Sequence, residues 1–207
     1  MTSRGRLIAL EGIDGAGKST LARALAARLR QDGWSVARRR EPADRELGAL
    51  AQSAGATDAW TGAVYFTLDR HLARPGLERA LARHDLVITD RSFYSTLAYQ
   101  GSALGPRDRR RLEALQRVAT RVPDRVVLLD LPPAEALRRL GRRGAGRGPL
   151  ERRRVLARVA RAYRAMARRP GWIVVDGRLP PRALAEATRR GLGLGRRPRR
   201  SARRERT

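Results

Sequence analysis

Cysteine is absent from this 207-residue chain, which excludes a disulfide framework, a thiolate metal site and a cysteine nucleophile. Lysine is almost absent: of 46 Lys and Arg residues, only Lys18 is a lysine. Aromatic residues make up just 4%. No apolar run approaches the roughly 18 residues of a membrane-spanning helix. The run nearest the start, Leu7–Leu10, is cut short by Glu11 and is too brief for a secretory signal. A cytoplasmic protein with no membrane partner is therefore expected. Gly and Pro follow no period, which excludes a collagen-like chain, and 42% hydrophobic content gathered in short runs excludes disorder throughout.

Length fits one α/β domain with an ample core. The net charge is +26, which raises the question of nucleic acid, since Arg-rich surfaces bind phosphate chains by releasing counterions. Two features argue against a specific nucleic-acid partner. The basic residues are arginine nearly everywhere, a chain-wide preference rather than a local contact surface. They are also spread along the chain, apart from Arg196–Thr207, where seven Arg stand against Glu205. Non-specific binding through that basic tail is the expectation. The single Lys is the more telling residue. A site that needs a compact point charge rejects the planar guanidinium.

Short apolar runs alternate with helical patterns, the signature of βαβ units and a parallel sheet. The strands are read at Leu7–Leu10, Ser35–Arg39, Leu86–Thr89, Val126–Asp130 and Trp172–Asp176. Helices are read over Lys18–Arg30, Ala59–Leu72, Pro75–Ala82, Tyr94–Gln100, Pro106–Arg121, Pro133–Leu140, Leu150–Ala167 and Pro180–Arg190, several of them starting on Pro. One domain over 1–190 is expected, with a mobile basic loop near 142–149 and a floppy basic tail over 191–207.

Between the first strand and first helix stand Gly12, Ile13, Asp14, Gly15, Ala16, Gly17, Lys18, Ser19 and Thr20, and Gly12–Ser19 fit G-x-x-x-x-G-K-[ST] without a mismatch. Such a loop turns backbone N–H groups inward around nucleotide phosphates, and the helix N-terminus adds its positive end. Lys18 would reach the β/γ-phosphates of ATP and Ser19 would bind Mg²⁺. Open α/β sheets bind ligands beyond the carboxyl ends of their strands. Arg40-Glu41-Pro42, Asp90-Arg91 and Asp130 lie there. Asp90 is the candidate second metal-associated carboxylate, acting through water. Arg40, Arg91 and the loop arginines could hold two anions together, which favours transfer to a nucleotide phosphate over hydrolysis. Phe66, Asp69 and Arg70 share a helix face, suited to stacking on a base and bonding its edge; the same spacing fits a core Phe beside an exposed ion pair. Ser95, Thr96 and Tyr99 form a polar face, or a cap with a packed Tyr.

Together these residues resemble the thymidylate kinase family. The phosphate loop from Leu10 to Thr20, Arg40-Glu41-Pro42, Phe66-x-x-Asp69-Arg70, and Asp90-Arg91 with Ser95 and Ala98-Tyr99-Gln100-Gly101 each resemble a family motif. So does Leu129–Pro133 with Glu135 and Arg139, and the likeness runs from about Arg6 to Val175. It departs where Ala43-Asp44 follow Arg-Glu-Pro, at Ser92, and in the spacing of Arg147-Gly148-Pro149-Leu150-Glu151. The resemblance implies a P-loop, nucleoside monophosphate kinase-like fold with a five-stranded parallel sheet flanked by helices. It implies ATP and Mg²⁺ as cofactors, dTMP as substrate and a homodimer. Phe66 would stack on thymine, Arg70 would bond a thymine carbonyl and Thr96 would touch the base edge. Arg40 and Arg91 would hold the acceptor phosphate, Asp14 would engage the sugar 3′-hydroxyl, and Tyr99 would crowd the 2′ position. Because Gly15 follows Asp14, the catalytic arginine would come from Arg142, Arg143 or Arg147. The rival readings are a kinase for another deoxynucleotide or a deoxynucleoside, and an ATP-dependent nucleic-acid-binding protein.

Overall fold

Apolar strand segments flanked by amphipathic helices leave one economical packing, a sheet with helices on both faces. The computed structural model, which describes residues 5–141 and 153–197, has that form. Strands β1 (Arg6–Glu11), β2 (Val36–Arg40), β3 (Leu86–Asp90), β4 (Arg125–Asp130) and β5 (Trp172–Asp176) make one parallel sheet in the order β2-β3-β1-β4-β5. The central strands β1 and β3 are buried almost throughout, whereas the edge strand β2 exposes Arg38 and Arg40. Charges suit such an edge, since they discourage pairing with another chain.

The helices are α1 (Lys18–Gln31), α2 (Arg45–Thr57), α3 (Ala59–Arg83), α4 (Phe93–Tyr99), α5 (Pro106–Ala119), α6 (Pro133–Gly141), α7 (Arg153–Met166) and α8 (Pro181–Gly191), with a 3₁₀ turn at Gly101–Ala103. On α1, Leu21, Leu25 and Leu29 recur every four residues and are fully buried, each contributing about 2 kcal/mol of hydrophobic stabilisation. Leu7 and Val87 face the other side of the sheet, where they form a smaller core with Leu81 of α3.

Three features differ from the sequence reading. Helix α2 was not among the expected helices, because Gly48, Ser53, Gly55 and Thr57 are poor helix formers. Asp44 starts it by accepting a hydrogen bond from the Leu47 N–H at 2.8 Å, and it packs on α3. The two helices expected over Ala59–Leu72 and Pro75–Ala82 are one, α3, with Pro75 inside it. His71 and Pro75 are both exposed, so water can serve the carbonyl that the proline leaves without a donor. The chain after Gly191 does not leave the domain at once. Leu194 is buried, Gly195 O accepts from Trp34 Nε1 at 2.9 Å, and Arg197 N donates to Asp32 O at 2.8 Å. Arg197 also pairs with Asp85, and the Arg6 and Arg197 guanidinium groups each lie 5.8 Å from the Trp34 ring centre. Residues 198–207 of the expected tail lie outside the described residues. The expected loop at 142–149, with Arg142, Arg143 and Arg147, also lies outside them.

Strand register sets up the site. Leu10 stands level with Asp90, and Asp90 with Arg40. The carboxyl ends of β1, β3 and β2 therefore end on one line.

Candidate active site

The turn after β1 begins with glycines that no other residue could replace. Gly12 has φ 144° and Gly15 φ 81°, and a Cβ on either would lie 2.7 Å from a carbonyl oxygen, of Leu129 and Ala136 respectively. Ile13 and Ala16 are buried, so they contribute backbone groups rather than side chains. Gly17 caps α1 in the left-handed region, and the unpaired N–H groups of that first turn face the cleft.

Lys18 is 6% exposed and folds across the loop, its Nζ donating to Gly12 O and Ile13 O, both at 2.9 Å. Burial, reinforced by the Arg91 charge, lowers its pKa to about 8, against the opposing pull of Asp14, Asp90 and Glu11. A phosphate anion at this point would restore the charge. Ser19 Oγ donates to Asp90 Oδ2 at the end of β3. A hydroxyl and a carboxylate are hard oxygen donors, fit for Mg²⁺ that keeps waters and phosphate oxygens as its other ligands. Among the described residues no group of three or more His, Asp or Glu side chains is placed to hold a metal ion.

One cleft brings together Asp14, Gly17, Lys18, Ser19, Thr20, Arg40, Asp90 and Arg91. Arg91 crosses it. Its Nη2 donates to Asp14 Oδ1 and its Nη1 to Ser95 Oγ at 2.9 Å, so three of its five N–H bonds stay available. Tyr99 OH donates to Asp14 Oδ2 and accepts from Asp14 N, both at 2.9 Å. Burial works to raise the Asp14 pKa, but Arg91 and Lys18 outweigh it and hold the carboxyl below its ordinary value. Burial pushes the Tyr99 phenol up, so its proton stays in place. Asp130 does not line this cleft and pairs with Arg164 of α7.

Beside the cleft, Arg70 of α3 is nearly buried and held from three sides. Its Nε donates to Glu41 Oε2 at 2.7 Å, Nη1 to Gln116 Oε1 at 2.9 Å and Nη2 to Thr96 Oγ1 at 3.3 Å. Burial raises the Glu41 pKa, and the Arg70 charge opposes that shift. Asp69 is buried, not part of an exposed ion pair; it accepts from Ala43 N at 2.9 Å and Asp44 N at 2.7 Å, which fixes the loop after Arg40-Glu41-Pro42. Phe66 lies half-buried one turn before Arg70 on the same helix. Arg70 and Thr96 are thus brought together, as are Asp14, Arg91 and Tyr99.

Sequence reading missed the supports of these residues. Gln116, with no solvent exposure, came from a helix with no motif. Glu11 and Tyr163 meet across 152 positions of sequence at 2.8 Å, a distance no local pattern reveals.

A glycine loop and a lone lysine after β1, facing an arginine-lined cleft at the ends of β3 and β2, define a P-loop phosphotransferase of the nucleoside monophosphate kinase type. Comparison with known proteins narrows the class. The chain belongs to the thymidylate kinase family, whose model matches residues 10–187. A thymidylate kinase of Xanthomonas campestris pv. campestris is 41% identical over 180 residues, covering 85% of this chain and 78% of that protein. One from Xanthomonas euvesicatoria pv. vesicatoria is 44% identical over 181 residues, covering 83% and 76%. A protein of Metallosphaera sedula named "Probable thymidylate kinase" is 36% identical over 174 residues, covering 84% and 85%.

Proposed function

We propose that this protein transfers the γ-phosphoryl group of ATP to dTMP, giving dTDP and ADP. The observation that carries the reading is the single cleft in which the phosphate-loop Lys18 and Ser19 face Arg40 and Arg91. Two phosphate groups meeting there repel one another: unit charges about 4 Å apart at an effective dielectric near 20 cost about 4 kcal/mol. Three fixed cations in the same cleft offset that cost before reaction begins.

Lys18 and the loop N–H groups hold the β- and γ-phosphates of ATP. Ser19, and Asp90 through water, hold Mg²⁺, which when bound neutralises phosphate charge. Arg40 and Arg91 grip the acceptor phosphate, one of whose oxygens forms the new bond to the γ-phosphorus as the bond from ADP breaks. That oxygen is already nucleophilic at neutral pH, so the site needs alignment more than a general base. Asp14 accepts the sugar 3′-hydroxyl, and Tyr99 crowds the 2′ position and favours deoxyribose. Phe66 stacks on thymine. Arg70 has two N–H bonds left after its three protein partners, and these meet the base edge with Thr96. Arg142, Arg143 or Arg147 supplies a further cation to the transferring group.

The reading includes a cytoplasmic homodimer. Leu50 of α2 and Val64, Leu68 and Leu72 of α3 are exposed, and the last three recur at four-residue spacing, one apolar stripe that a second copy would cover. No described helix is long and apolar enough to cross a membrane.

The test is ADP formation measured across nucleoside monophosphates, with and without DNA or RNA. Turnover that depends on dTMP is expected. Preference for another monophosphate or a nucleoside would replace the acceptor assignment, and turnover stimulated by nucleic acid alone would replace the reading.

A further inference from the structure

We propose that Tyr163 of α7 is a positioning residue for Arg91, acting through Ser95 and Glu11; the proposal rests on the reading of Arg91 as a grip on the acceptor phosphate. Arg91 is the only described non-glycine residue with a positive φ, 81°, a conformation that persists in an L-residue only when its surroundings over-determine it. They do so here. Arg91 N donates to Leu10 O at 3.0 Å, Thr89 Oγ1 donates to Arg91 O at 2.8 Å, and the next residue, Ser92, donates its N–H to Glu11 Oε1 at 2.8 Å. The backbone is therefore fixed from the loop strand and from Glu11. The side chain needs a second set of restraints.

Glu11 supplies it. This carboxylate has no solvent exposure, yet it ends the strand that leads into the phosphate loop. Its Oε1 accepts from Ser92 N and from Ser92 Oγ at 2.7 Å, and its Oε2 accepts from Ser95 Oγ at 2.7 Å and Tyr163 OH at 2.8 Å. Four donors satisfy an ionised carboxylate. With the Ser95 proton committed to Glu11, Ser95 Oγ presents lone pairs to Arg91 Nη1 at 2.9 Å, and it can only accept. Tyr163 OH also lies 2.9 Å from Ser95 Oγ. The phenol is thus wedged against both members of the relay.

A phenylalanine would fill the same buried space, so packing alone does not call for the hydroxyl at position 163. What the hydroxyl adds is a donor to Glu11 Oε2, the oxygen that also accepts from the Ser95 hydroxyl bonded to Arg91. Without it, a buried carboxylate with an unmet acceptor stands behind Arg91, and the guanidinium is drawn inward, off the acceptor phosphate.

The experiment compares wild type, Tyr163→Phe, Ser95→Ala and the double variant in steady-state ADP formation, with thermal melting alongside. It is run on each of several nucleoside monophosphates. Tyr163→Phe is expected to raise KM for the acceptor by about tenfold or more, the scale of a misplaced binding group, with KM for ATP unchanged. The double variant is expected to lose no more than Ser95→Ala, because both act through one relay. Unchanged acceptor constants in Tyr163→Phe, losses shared equally by ATP and acceptor, or multiplying losses in the double variant would each overturn the proposal. If the wild type turns over an acceptor other than dTMP, the dTMP reading falls and the Tyr163 effect is read on that acceptor. If it turns over none, both fall.

Discussion

Replacing Gln116 by methionine would remove one amide from the buried wall behind Arg70 while conserving its shape. The orientation of that amide follows from a neighbour. The single hydroxyl hydrogen of Thr67 goes to Ala63 O at 2.7 Å, so Thr67 Oγ1 must accept from Gln116 Nε2 at 2.6 Å, and Oε1 must face Arg70 Nη1. Gln116→Met would therefore cost one hydrogen bond to a charged group, about 1.5–3 kcal/mol, and one neutral bond of about 1 kcal/mol. Total destabilisation of about 3 kcal/mol is expected. At about 2–4 °C of melting temperature per kcal/mol for a chain of this size, Tm should fall by about 6–12 °C. Arg70 would keep Glu41 and Thr96 but lose the partner that fixes its outer fork, so KM for dTMP should rise with KM for ATP unchanged. Thermal melting and ADP formation measure both. A Tm within about 1 °C of wild type, far short of that fall, would show that Gln116 does not hold Arg70 and would refute the reasoning.

Lys18→Ala should abolish phosphoryl transfer while the fold, followed by circular dichroism, persists; retained activity would contradict the site. The lowered Lys18 pKa, about 8 against 10.5, means that the unfolded chain holds more protons between those values, so this group makes stability rise as pH climbs from 8 to 10.5. The same shift predicts that ADP binding at pH 8 takes up a fraction of a proton as the phosphates restore the ammonium charge. Calorimetry in buffers of different ionisation enthalpy reads this, and no buffer dependence would contradict it. Truncation before Gly195 removes the Trp34 hydrogen bond and the Arg197–Asp85 pair. It should lower Tm yet leave kcat unchanged, since these contacts sit at the amino ends of the strands and the cleft at their carboxyl ends.

All five strands were legible in the sequence, because a buried parallel strand must be a short continuous apolar run and little else competes with that pattern. Strand β2 was displaced by one residue, at an edge where arginines blur the pattern. The phosphate loop was legible because its glycines and lysine are required at fixed spacing. Helix α2 was not, since its composition disfavours a helix and packing on α3 overrides that preference. Arg70, Arg91 and Tyr99 could be named from motifs. Their supports Gln116 and Tyr163 could not, and Glu11, though inside the phosphate-loop segment, gave no sign of its partners, because each meets its partner only after the sheet and helices have assembled.

The level register of β1, β3 and β2 has a consequence for how the protein tolerates change. Neighbouring strands lie about 4.8 Å apart, so the strand ends that lead to Lys18 and to Arg40 flank that of Arg91 at about one such step on either side. The gauge between the two nucleotides is thus a main-chain length, indifferent to which side chains decorate it. Substitution in the cleft can weaken the hold on either nucleotide, but only a slipped strand could alter the gap across which the phosphoryl group travels.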